Sequence, residues 1–271
     1  MKMNRIAAVA AALFGLAAAQ TSMACSLTAW GQGNPPGATG VVGAPVAGEP
    51  DDAVAVKRYS GRCGLQAGTG AFVQDGLPTA EVTYNAQFYM FTSANGTYFR
   101  ADDAAAAAQV TVGYDGANIT IAGAQGTPAS VVAAANRWYR VLIKFNATTQ
   151  ALGYTVRGGG AAEATAVSGS IAGASATTAR IETAKLGLVS GTGTATVDAF
   201  ESRRTSDPTP LCRGDANGDA LLGIQDRIAI TNEILGSSIN SGQPDVNEDG
   251  LVAVQDRIAI TTRILAADTC P

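Results

Sequence analysis

From about Ala53 to Arg204 the apolar positions recur in short alternating or β-branched runs. These are Val54 to Tyr59, Glu81 to Phe91, Thr97 to Ala101, Gln109 to Tyr114, Asn118 to Ala122, Trp138 to Phe145, Ala151 to Val156, Lys185 to Val189 and Ala195 to Phe200. A period of two puts alternate side chains on opposite faces of a strand. Turn formers separate the runs, as in Ser93 to Gly96 and Tyr114 to Gly116. Many short strands with almost no helical period predict a mainly β chain, an antiparallel β-sandwich of jelly-roll type over residues 53–204. About 150 residues suffice for a two-sheet core. Ala104 to Ala108 fits a short helical turn or an exposed loop equally well.

Beyond Cys212 the pattern changes. Two segments repeat at a spacing of 30, Asp215 to Asp226 and Asp245 to Asp256, and both run on through an identical Gln-Asp-Arg-Ile-Ala-Ile-Thr into a helical apolar pattern. Such self-similarity means one structural unit used twice. Positions 1, 3, 5 and 12 of each copy are Asp, Asn, Asp and Asp. Ca²⁺ takes six to eight oxygen ligands, and a 12-residue loop offers them from these positions together with a backbone carbonyl at position 7. The expected ligands are Asp215, Asn217, Asp219, Leu221 (carbonyl) and Asp226, then Asp245, Asn247, Asp249, Leu251 (carbonyl) and Asp256, for two Ca²⁺ ions. Gly223 and Ala253 leave position 9 to water. Gly250 suits the sharp turn at position 6 and Ala220 does not, so the first loop is expected to be strained. Carboxylates this close repel without a cation, and the module is expected to need Ca²⁺ to fold. An acidic turn that binds nothing would explain one such loop, but two in phase argue against it.

Upstream, Lys2 and Arg5 precede the apolar run Ile6 to Ala19 and a small-residue site ending at Ala24. This is the layout of a signal peptide over residues 1–24, and it predicts a secreted or extracellular protein. The run is shorter than the roughly 20 residues that span a bilayer, and no transmembrane segment is expected elsewhere. Residues 25–52 are rich in Gly and Pro and predict a loose lead-in, and residues 205–211 a linker. Export places Cys25, Cys63, Cys212 and Cys270 in an oxidising compartment. Cys212 and Cys270 bracket the last segment, and Cys25 and Cys63 flank the Gly/Pro stretch. These positions suggest two disulfides, with acylation of Cys25 and a free Cys63 as the alternative.

Composition removes whole chemistries. The 271 residues include no histidine, so no histidine base or imidazole-held metal is available, and a metal must sit on oxygen or thiolate. The 18 basic and 22 acidic residues argue against a nucleic-acid partner. The acidity is local: residues 212–271 hold seven Asp, two Glu and four Arg, whereas residues 25–211 hold thirteen acidic and twelve basic residues.

Each loop follows Gly214 or Pro244 with no room for an entering helix, and closes with Asp226 or Asp256 where an ordinary EF-hand has Glu. In this the segment 212–271 resembles a type I dockerin, a small α-helical module with two EF-hand-type loops. The resemblance implies a cohesin-like partner, contacted by Gln225, Arg227, Gln255 and Arg257 at the helix starts. Positions 10 and 11, Ile224-Gln225 and Val254-Gln255, depart from the Ser-Thr pair such modules often carry, which argues against an ordinary cellulosomal cohesin. The sandwich resembles the concanavalin A-like and laminin G-like jelly rolls on Glu81 to Phe91, Gly96 to Arg100, Asn136 to Phe145, Leu152 to Val156 and Ala195 to Phe200. That resemblance implies a carbohydrate or a cell surface as ligand.

A secreted polysaccharide-degrading enzyme carrying the module, a hydrolase of O-glycosyl bonds, is the main rival, and a structural surface protein is a third. Glycosidases need two facing carboxylates, and the one-strand string E-x-D-x-x-E is absent. Asp75, Glu81, Asp198 and Glu201 are read as solvated surface acids, so no catalytic residue is assigned. Trp138 is expected in the core and Trp30 on the surface. Tyr84, Tyr89, Tyr98 and Tyr114 are candidate sugar platforms.

Overall fold

A computed structural model describes residues 57–61, 64–160 and 166–271, and the backbone of two short strands at 32–34 and 40–43. The leader expected at 1–24, Cys25, Trp30 and Cys63 lie outside the described residues. The strands are β1 Gln32–Asn34, β2 Gly40–Gly43, β3 Gly64–Gly68, β4 Ala71–Asp75, β5 Thr83–Phe91, β6 Asn95–Asp102, β7 Ala108–Tyr114, β8 Asn118–Gly123, β9 Ala129–Val132, β10 Trp138–Asn146, β11 Ala151–Gly158, β12 Val167–Ala172, β13 Thr183–Thr192 and β14 Thr194–Arg203. Two helices follow, α1 Ile224–Ile234 and α2 Val254–Leu265.

The strands form two antiparallel seven-stranded sheets, ordered β1-β4-β13-β6-β7-β8-β9 and β12-β11-β10-β5-β14-β3-β2. The chain changes sheet repeatedly, as a jelly roll does and an up-and-down barrel does not. The mainly β sandwich and the two short C-terminal helices are what the apolar pattern predicts.

Alternation along β5 and β10 shows why those runs are nearly continuous in apolar residues. Tyr84, Ala86, Phe88 and Met90 face the core between the sheets with Val141, Ile143 and Phe145. The odd positions Tyr89 and Phe91 face outward and join Trp138 and Tyr59 in a second buried cluster. Tyr59 stacks on Tyr89 with ring centroids 3.8 Å apart and meets Trp138 edge-on at 5.6 Å. Burying each large ring contributes about 1.5–3 kcal/mol, so a four-ring cluster on an outer sheet face implies a cover.

That cover is the C-terminal segment. Residues 205–211 run along the second sheet: Asn85 donates to the Ser206 carbonyl (3.0 Å), Gln87 to the Thr209 carbonyl (3.0 Å), and the Leu211 amide to the Tyr89 hydroxyl (2.9 Å). Lys144 pairs with Asp207. The helical module then closes on its own core of Ala216, Ile230, Val246 and Ile260, two residues from each repeat at equivalent positions. A Cys212–Cys270 disulfide joins its ends.

Several strand expectations change. Of the run Val54 to Tyr59, residues 54–56 lie outside the described residues, and from Lys57 the chain is not a strand. It bends so that the Tyr59 and Ser60 amides donate to Asp198 at 2.7 and 3.0 Å. Strands β3, β4, β9 and β12 are additions, as are β1 and β2 within the presumed loose lead-in. β3 and β12 are rich in Gly, Ala and Ser, and their ladder partners hold them where propensity does not. Ala104 to Ala107 form an exposed turn with no helix, leading into β7.

Candidate metal centre

In the first loop the carboxylates of Asp215, Asp219 and Asp226 converge, each offering an oxygen within 4.8 Å of the others. The backbone holds them there. Asp215 accepts hydrogen bonds from the amides of Gly218 (2.7 Å), Asp219 (3.0 Å) and Ala220 (2.9 Å). Asp226 accepts from Ala216 (2.9 Å) and Asn217 (3.2 Å) in the loop and from Gly223 (2.8 Å) at the N-terminus of α1. Position 12 thus caps the helix and closes the loop at once. The Asn217 side-chain oxygen Oδ1 accepts from the Asp219 amide at 2.9 Å.

Among the described residues the first loop alone brings three carboxylates this close together, and the second repeats most of its hydrogen bonds. Asp245 accepts from Asp249 (3.1 Å) and Gly250 (2.7 Å), and Asp256 from Asn247 (3.0 Å) and Ala253 (2.9 Å). The Asn247 oxygen accepts from Asp249 at 3.0 Å. The position-7 residues Leu221 and Leu251 donate their amides to Asp219 and Asp249.

Burial and mutual repulsion show in the acidities. Burial pushes Asp226 above the usual carboxylate range, with Asp215 adding to it. In the second loop burial and the neighbouring Asp256 push Asp245 well up, and burial pushes Asp256 up to about 6. A cation would relieve both causes. All side-chain donors are oxygen, which fits a hard cation, and the aspartate cluster could hold a metal ion.

The loops differ at two positions where the backbone is left-handed. Position 4 is Gly218 (φ +80°) in the first and Glu248 (φ +60°) in the second; position 6 is Ala220 (φ +63°) in the first and Gly250 (φ +83°) in the second. Ala220 carries the strain its place in the motif foretells. Gly250 has a second reason to be glycine, because a Cβ there would lie 2.5 Å from the Phe91 ring.

Glu248 points away from its loop into the sandwich, 1 % exposed. It accepts from the Tyr59 hydroxyl (3.1 Å), Arg157 (3.4 Å) and the Gly160 amide (3.0 Å), and faces Arg213 at 3.8 Å. Burial pushes its pKa above the usual carboxylate range, while Arg157 and Arg213 pull it back. The loop's carbonyls are engaged as well: Trp138 donates its amide to Glu248 (3.0 Å), Lys57 donates to Gly250 (2.7 Å) and Arg137 to Asn247 (3.5 Å). On α1, Glu233 pairs with buried Arg58. Sequence reasoning missed Glu248, although comparison of the copies marks it: a large charged residue stands where the first repeat has glycine.

The expected partner-contact residues lie at the surface of the helix starts, Gln225 and Gln255 exposed and Arg227 and Arg257 partly so. Beside them Ile224, Ile228, Val254 and Ile258 are each about half exposed or more. Other expectations are corrected. Tyr84, Tyr98 and Tyr114 are core residues, in phase with the inward positions of their strands, and Tyr89 lies under the module, so none is a sugar platform. Trp138 is fully buried, as expected, but under the module and not between the sheets. Asp75 and Asp198 are not solvated: Asp75 is nearly buried and accepts from the Leu77 amide, and burial pushes Asp198 up to about 6. Glu81 and Glu201 pair with Arg204 and Arg203.

No family model matches the sequence, and no curated protein matches it. Among solved structures, a GH131 β-glucanase catalytic domain from Podospora anserina matches with 11% identity and TM-score 0.41, over 64% of this chain and 81% of that one. A sialidase matches at 13% and 0.37, over 53% of this chain and 15% of that one. The laminin α2 LG1-3 region matches at 9% and 0.37, over 52% and 31%. The chain spans well under two thirds of the sialidase and laminin chains, and these scores carry neither activity nor substrate over to it. No helix among the described residues is long and apolar enough to cross a membrane.

Proposed function

We propose that this is a secreted, non-catalytic, Ca²⁺-binding protein in which a β-sandwich that takes carbohydrate or a cell surface carries a dockerin-like module for a cohesin-like partner. Asp215, Asn217, Asp219, Asp226 and the Leu221 carbonyl would hold one Ca²⁺, and Asp245, Asn247, Asp249, Asp256 and the Leu251 carbonyl the other. The ion would neutralise carboxylates that otherwise repel one another and so fix the start of each helix. The observation that carries this reading is the convergence of three first-loop carboxylates on one point, within a hydrogen-bond scheme that the second loop repeats.

The docking face is the pair of helix starts, where Gln225, Arg227, Ile224 and Ile228 stand in the same order as Gln255, Arg257, Val254 and Ile258. Apolar residues ringed by Arg and Gln suit a protein interface. The test immobilises the intact chain and captures secreted proteins from its source in Ca²⁺ and in chelator, beside a variant with Ile224→Asp and Ile258→Asp. Capture that needs Ca²⁺ and fails in the variant supports docking; capture indifferent to both overturns it. A glycan array probed with the same chain tests the sandwich.

A further inference from the structure

Glu248 is a charged residue in a left-handed conformation, at the position where the first repeat has Gly218. An L-residue there is strained relative to glycine. Nothing within the loop repays that cost, because its carboxylate bonds outside the loop, to Tyr59, Arg157 and Gly160 of the sandwich segment and to Arg213 before the first loop. The carbonyls of Asn247, Glu248 and Gly250 are likewise taken by Arg137, Trp138 and Lys57. Gly250 lies flat on Phe91. The second loop is therefore held from outside on both its side-chain and its carbonyl faces. In the first loop the equivalent of Glu248 has no side chain.

We infer that Glu248 is a positioning residue that fastens the second loop to the sandwich, so that ion binding in that loop and docking of the module over Trp138 are one coupled event, a link that the first loop, with Gly218 at position 4, lacks. The coupling rests on the Ca²⁺ reading above; the clamp itself does not. Asn247 and Asp249, expected ligands on either side of Glu248, share its backbone, and a loop fixed before the ion arrives loses less freedom on binding it. Linkage is reciprocal: if docking raises the second loop's affinity, the ion tightens docking by the same factor.

The test uses the intact chain with Trp30→Phe, so that Trp138 is the remaining tryptophan, and compares it with the same chain bearing Glu248→Gly or Glu248→Gln. Acrylamide quenching of Trp138 reads docking, and calorimetric titration with Ca²⁺ reads the ions. Glu248→Gly frees the backbone as in the first repeat and is expected to raise quenching severalfold. It should also weaken one ion about tenfold and leave the other unchanged. Glu248→Gln, which keeps one acceptor oxygen and loses the other together with the charge, should fall between, and it decides the matter if Glu248→Gly does not fold. Unchanged quenching in both variants overturns the clamp. Raised quenching with both ions bound as before overturns the coupling alone. If the parent chain binds no Ca²⁺, the metal reading and the coupling fall, and the quenching comparison still decides the clamp.

Discussion

The two acidic loops carry the same residue types at positions 1, 3, 5 and 12 and share most of their backbone hydrogen bonds, and they differ in what the remaining residues touch. The first leaves Gly218, Asp219 and Ala220 exposed and has its carbonyls bonded by Ser241, Gly242 and Gln243 of the module itself; the second lies on the sandwich, has Gly250 against Phe91, and places Glu248 at position 4. The duplicated sequence thus meets the rest of the chain unequally: the first repeat does so through Glu233 of α1, which pairs with Arg58, and the second through the loop itself. The difference lies in what each loop touches and in how closely its carboxylates converge.

The comparison can be broken first at position 4. Glu248→Ala removes a buried carboxylate that accepts from Tyr59, Arg157 and Gly160 and faces Arg213, and is expected to cost about 3–5 kcal/mol in denaturant unfolding of the whole chain. The matching change Gly218→Ala should cost only the left-handed penalty, about 1–2 kcal/mol. Equal losses would mean that the second loop is no joint.

The Cys212–Cys270 disulfide encloses both loops with a separation of 58 residues. Replacing both cysteines by serine should cost about 4 kcal/mol by loop entropy. It should weaken Ca²⁺ binding at both loops, unlike the Glu248 change; loss at one loop alone would contradict the shared frame.

At position 6 the signs should be opposite. Gly250→Ala meets both Phe91 and a positive φ, for a loss of about 2–4 kcal/mol, whereas Ala220→Gly relieves strain and gains up to about 1 kcal/mol. Thermal unfolding of the two variants checks this.

The pH dependence sharpens the same contrast. Without ions, Asp256 sits at about 6 and Asp245 is pushed well up by burial. A carboxyl whose folded pKa lies above its unfolded value near 3.9 stabilises the fold fully below that value and loses the contribution as pH rises through the folded pKa. The chelated chain should therefore lose stability between about pH 4 and about pH 6. Asp198, also at about 6, adds a share that no ion removes. Saturating Ca²⁺ should flatten the slope to that remainder, and calorimetric melting across the range with and without chelator would expose an unchanged slope.

Much of this was legible in the chain. The alternation of β5 and β10 predicts the sandwich, and the spacing of Asp215, Asp219 and Asp226 predicts their convergence, because local backbone amides set that geometry. What was not legible depended on long-range pairing. Strand β12, Val-Ser-Gly-Ser-Ile-Ala, has little intrinsic preference for a strand and is held by its ladder with β11. Tyr89 and Trp138 could not be oriented, because a ring on an outer face reads as exposed until its cover is known. Glu248 and Tyr59, 189 residues apart, carry no local sign of each other.

The most direct test of the central claim is a calorimetric titration of the intact, metal-free chain with Ca²⁺. Two ions per chain, with Glu248→Gly weakening one of them, is the result predicted. The absence of binding heat up to about 1 mM Ca²⁺, the weak end for extracellular modules, would contradict it.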